Sequence, residues 1–119
     1  MIADTIGAAA PKGAVVLFDG KSPENWTKMD GSPAQWLVEG GAMQVVRGTG
    51  DICTKQRFRD HVLHLEFKLS DMPQAKGQAK SNSGVFVQGR YEIQVLDSSG
   101  WDMPGLGDCG AIYNQYAPL

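Results

Sequence analysis

The sequence has no apolar run near the ~20 residues needed to cross a bilayer, so no membrane-spanning helix is expected. It lacks a basic excess: 11 Lys and Arg stand against 13 Asp and Glu, a net charge of −2. That balance gives no electrostatic reason for a nucleic acid or an anionic membrane to be the partner. Cysteine is scarce. Cys53 and Cys109 permit one disulfide or stand as two buried thiols, and neither lies in a CxxC or zinc-like pattern. No segment of useful length repeats with the helix period, and no internal repeat or low-complexity tract is present. There is no glycine-rich phosphate loop before a helix, no HExxH and no GxSxG, which removes the commonest signatures of phosphoryl transfer, zinc proteolysis and serine hydrolysis. Residues 1–10 carry Asp4 and no basic n-region, so they do not read as a secretory signal.

What the chain has in abundance is glycine, 15 residues, with 6 prolines, spread between short apolar stretches. The length of 119 residues suits one domain, in which about two thirds of the unfolded surface is buried. The reading is a tail over 1–13 and an all-β domain over 14–119. Val15-Val16-Leu17-Phe18 is a strand candidate ending at the Asp19-Gly20 turn signal. Gly40-Gly41 joins two strands in a register that opposes Val38 to Met43 and Trp36 to Val45. Asp51 to Thr54 is a short strand. The segment 61–69 alternates most cleanly, with Leu63, Leu65, Phe67 and Leu69 on one side and His64, Glu66 and Lys68 on the other. A polar loop over 71–81 follows, then a hairpin from Asn82 to Asp97, a glycine-rich loop over 98–110, and a last strand candidate at Ala111-Ile112-Tyr113.

The hairpin organises the rest. With Gly89-Arg90 as a two-residue type II′ turn, Val87 opposes Glu92, Phe86 opposes Ile93 and Val85 opposes Gln94. Phe86, Tyr91, Ile93 and Val95 then form a core face, joined by Leu65 and Phe67, while Glu92 and Gln94 face a surface or cleft.

Glu66 and Glu92 are the candidate acid and base, because both interrupt an apolar alternation on its polar side, where two carboxylates can move protons or hold a divalent cation. Each is equally read as a solvated strand residue paired with Lys68 or Arg90. His64 shares the face of Glu66 and serves as base, as ligand or as a surface histidine. Asn82 and Gln94 are amides suited to binding ligand hydroxyls, or to turn and strand-edge bonding. Trp101, on a glycine-rich loop, is placed to stack on a ligand or to tuck onto the core. Asp108, within Gly107-Asp108-Cys109-Gly110, turns toward a cleft or closes its own turn.

Taken together, Leu17-Phe18-Asp19-Gly20-Lys21 with Trp26, Trp36-Leu37-Val38-Glu39 with Gly41, Leu63 to Leu69, Asn82-Ser83-Gly84-Val85-Phe86, Tyr91 to Asp97, Gly110 to Tyr113 and Ala117-Pro118 resemble the 3-keto-disaccharide hydrolase family. The resemblance runs from Val15 onward, and it is the order of the blocks that makes it specific. It implies an antiparallel concanavalin-like jelly-roll sandwich that cleaves 3-keto-glycosides, with a carbohydrate as partner and a periplasmic or extracellular setting. A non-catalytic sugar-binding module is the alternative. The family continues past its Ala-Pro block with further strands, so the resemblance implies that this chain carries the N-terminal part of the sandwich, with unpaired edges that favour homo-oligomers.

Overall fold

The computed structural model describes residues 5–119. Its regular structure is almost wholly strand, in antiparallel pairs, with one 3-10 turn at Gly77–Ala79. The chain divides into two compact units, one ending at Phe58 and one spanning Arg59–Leu119.

In the first unit, β1 (Trp26–Lys28) pairs with β4 (Ile52–Thr54), and β2 (Leu37–Glu39) pairs with β3 (Ala42–Gln44). Val38 opposes Met43 as the pattern predicts, and Gly40 and Gly41 both take positive φ, 58° and 79°, as the centre of a type I′ turn requires. The predicted strand at Val15–Phe18 is not formed. Its carbonyls are held by side chains instead: Leu17 O accepts from the Trp26 indole at 2.8 Å and from Asn25 Nδ2 at 3.3 Å. Cys53 and Cys109 are both free thiols.

The second unit is built on β5 (Asn82–Val87) and β6 (Tyr91–Leu96). Val87 opposes Tyr91, Phe86 opposes Glu92, Val85 opposes Ile93 and Gly84 opposes Gln94, so the ladder is shifted by one residue from the predicted register. The turn is centred on Gln88 and Gly89, both at positive φ, and closes through Arg90 N to Val87 O at 3.1 Å. A one-residue shift moves a whole strand's side chains to the other face. Ser83, Val85 and Val87 now share a face with Tyr91, Ile93 and Val95, which gathers two valines with the apolar side of β6. Phe86 moves to the side of Glu92 and Gln94, where it is 59% exposed rather than in the core.

On its other edge β6 bonds to Gly110–Tyr113: Gln94 N donates to Ala111 O at 3.0 Å and Tyr113 N donates to Glu92 O at 2.9 Å. β6 is therefore a middle strand, which is why Gln94, Val95 and Leu96 are buried. Leu96 is 1% exposed, so Leu96→Ala is expected to cost about 2–5 kcal/mol in urea unfolding. Phe86→Ala, at an exposed site, is expected to cost less than about 1 kcal/mol.

The segment 61–70 forms no strand, and Leu65 and Phe67 are exposed, against expectation. It is tied at both ends to the neighbourhood of β5. Gln88 Nε2 donates to Arg59 O at 3.2 Å, and Ser70 N donates to Ser81 Oγ at 3.1 Å. Fully extended, 59–70 would span roughly 36 Å, against ~23 Å for 81–88. The longer segment must bow between its ties, and a bowed segment cannot hold a continuous ladder. Leu63, Leu65 and Phe67 of its apolar row are exposed.

Candidate functional site

All the residues singled out for chemistry lie in the second unit. The centre of the site is the β5–β6 face that carries Gly84, Phe86, Glu92, Gln94 and Leu96. Gly84 has no side chain, and the side chain of Glu92 occupies the space. A Cβ built on Gly84 would lie 2.7 Å from both Cγ and Cδ of Glu92, and nearer still to Oε1. A glycine inside a strand often marks such a close approach. Gly84 thus seats the Glu92 carboxylate back over the hairpin, beside the residue opposite Gly84, which is Gln94. Glu92 is half-buried, and its carboxylate makes no hydrogen bond or ion pair among the described residues.

Gln94 is 2% exposed. Its Nε2 donates to Gln78 Oε1 at 3.2 Å and to Gly107 O at 3.1 Å. Gln78 Nε2 also donates to Gly107 O, at 2.8 Å. Asn82 Nδ2 donates to Gln78 O and to Gln78 Oε1, each at 3.0 Å. The two amides predicted as sugar binders are therefore brought together, joined by a third, Gln78, that periodicity had no means to mark in its polar loop. Asp108 is buried, and its carboxylate accepts from Gly105 N within its own turn. Its turn role is the one seen, and that turn carries the Gly107 carbonyl on which both glutamines converge.

His64 and Glu66, expected to share one face of a strand that does not form, lie Nε2 to Oε1 at 3.3 Å, with side chains 57% and 40% exposed. Two donors do not make a cation cage, and among the described residues no group of three or more His, Cys, Asp or Glu gathers. Trp101 lies beside a cleft of about 390 Å³ bordered also by Leu69, Leu96, Asp97, Ser98 and Cys109. It is on a cleft wall rather than tucked into the core.

At the end of β6, Asp97 accepts from Lys80 Nζ at 2.7 Å and from Ser99 Oγ at 2.6 Å. The Lys80 bond, then the Ser99 bonds, hold its carboxyl down at about 2. A depressed carboxylate pKa stabilises the fold above the unfolded value, near pH 4, and that contribution is lost as pH falls toward 2. Lys80→Met should lower the urea midpoint at about pH 6, and the gap from the parent should close by about pH 2. A gap that stays constant across this range would mean Lys80 acts without Asp97.

The chain is all-β, with a carboxylate and three amides gathered about one hairpin. Residues 13–119 match the model of the 3-keto-alpha-glucoside-1,2-lyase-like domain, and the chain belongs to that family. It is also similar to the crystal structure of a candidate glycosyl hydrolase from Parabacteroides distasonis, at 38% identity and a TM-score of 0.76, over 92% of this chain and 47% of that one. The chain thus spans about half the length of that relative. No curated protein matches. Among the described residues no helix is long and apolar enough to cross a membrane.

Proposed function

We propose that this chain is part of a glycoside-cleaving enzyme that acts on 3-keto-glycosides, with Glu92 as the base. The observation that carries the reading is the Glu92 carboxylate, half-buried over Gly84, without a hydrogen-bond or ion-pair partner among the described residues, beside the Gln94 amide. A carboxylate with no partner of its own is open to take a proton from a substrate.

The chemistry follows from the carbonyl at C3 of the sugar. It acidifies the hydrogen on C2, since the resulting carbanion is delocalised as an enolate. Glu92 takes that proton. The electron pair then forms the C1–C2 double bond and the C1–O bond to the aglycone breaks. The departing oxygen takes a proton from an acid, a role assigned to the His64–Glu66 pair. Water afterwards adds across C1 and C2, which yields the free 3-keto sugar and makes the net reaction a hydrolysis. Asn82 and Gln94 hold ring hydroxyls, and Trp101 offers an aromatic face to the sugar.

The test is turnover of methyl 3-keto-α-glucoside in deuterated water. The expected product carries solvent deuterium at C2, with a primary isotope effect when C2 is labelled and proton removal limits the rate. Cleavage without deuterium at C2 would overturn the elimination route. Binding without any cleavage would make the chain a sugar-binding module.

A further inference from the structure

Gln94 Oε1 is a buried oxygen with no hydrogen-bond partner among the described residues. Such an acceptor is costly to leave unmade, and each one calls for an explanation. Turning the amide over gives no relief, because the place now held by Nε2 faces two acceptors, Gln78 Oε1 and Gly107 O. The polarity is set from the backbone. Gly107 O can only accept, so the nearer end of Gln78 must be its Nε2, which leaves Gln78 Oε1 turned toward Gln94 and Asn82. Gln94 must then donate inward, and its oxygen is the end left over.

We propose that Gln94 Oε1 is a fixed acceptor for one hydroxyl of the bound sugar, and that Gln78 is the positioning residue that holds it in that polarity. The proposal rests on the glycoside reading above. Access is through Gly84: it stands opposite Gln94 in the ladder, and what fills its side-chain space is the unpaired Glu92 side chain, whose rotation uncovers the place beside Gln94. The polarity also carries specificity. Oxidising a sugar carbon replaces a hydroxyl, which donates, by a carbonyl, which only accepts. A fixed acceptor takes the first and repels the second, so it turns the ring to put a hydroxyl-bearing carbon here and the C3 carbonyl elsewhere.

The experiment measures dissociation constants for methyl 3-keto-α-glucoside and its 2-, 4- and 6-deoxy analogues, and for methyl α-glucoside with the same deletions. The parent chain is compared with Gln78→Met, a substitution at an exposed position of the 3-10 turn that keeps length and removes the three side-chain hydrogen bonds to Gly107, Asn82 and Gln94. The expected result is that one deoxy analogue binds the parent chain about tenfold or more weaker, and that Gln78→Met shrinks this ratio to about twofold. A change in ratio is not what a general loss of fold produces, since that weakens all probes alike. Equal affinity for all analogues, no binding of either series, or an unchanged ratio in Gln78→Met would each overturn the proposal. The selective loss with the unoxidised series, without cleavage of the 3-keto series, would uphold the acceptor and overturn the enzymatic reading.

Discussion

Glu92→Gln is expected to lower turnover of 3-keto-glucosides by about 10²–10⁴-fold while leaving their affinity within a few-fold, because the amide keeps the shape of the side chain and loses the ability to take a proton. The geometry makes this a sharp test. Among the described residues the Glu92 side chain has no ion pair or hydrogen bond whose loss would unsettle the hairpin, so the substitution removes little besides basicity. The side chain also stays over Gly84, where Gln fits as Glu does. A variant that turns over normally would exclude Glu92 as the base. A variant that loses affinity and turnover together would instead make Glu92 a binding residue. Exchange of the C2 hydrogen with solvent should fall in step with turnover, since both depend on the same proton transfer.

The sequence made some of this legible and hid the rest for identifiable reasons. The Gly40-Gly41 hairpin was readable because two adjacent glycines specify a turn with both central residues at positive φ, and the register follows from the turn. The β5–β6 hairpin was readable as a hairpin but not in register. Gly89 fits either the first central position or the second, and the choice depends on Gln88 accepting a left-handed conformation, which composition does not reveal. That single residue decides whether Phe86 or Val85 and Val87 join the apolar side of β6. The segment 61–69 shows the opposite limit. Its alternation is the clearest in the chain, yet alternation specifies only which side chains share a face; a strand also needs a partner at a matching length. In the candidate site, Glu92, Gln94, His64 and Glu66 stand out by asking which polar residues interrupt apolar runs, and Asn82 by its amide at the start of the hairpin. Gln78 and the Gly107 carbonyl escaped that question. One is a polar residue in a polar loop, and the other is backbone. Gly84 was detectable, since a glycine in a strand interior asks what lies above it.

That glycine gives a test that separates seating from chemistry. Gly84→Ala is expected to destabilise the chain by about 1–3 kcal/mol, the usual range for forcing an extra carbon into an occupied space. The φ of Gly84 is not positive, so the backbone itself tolerates alanine, and the three nearest atoms a Cβ would meet all belong to the Glu92 side chain. Displaced by roughly 1 Å, the carboxylate should lose about 10²-fold in turnover, because proton transfer depends on near-contact geometry. The decisive arm is the double-mutant cycle. In Glu92→Ala the Cγ and Cδ atoms that a new Cβ would meet are gone. Gly84→Ala should then be neutral, or stabilising by about 0.5–1 kcal/mol, because alanine loses less conformational freedom than glycine in a strand. The sign of its effect therefore reverses with the identity of residue 92, and urea midpoints of the four chains measure it. An equal cost in both backgrounds would show that something other than Glu92 fills the space above Gly84, and the carboxylate would lose its seat in the site.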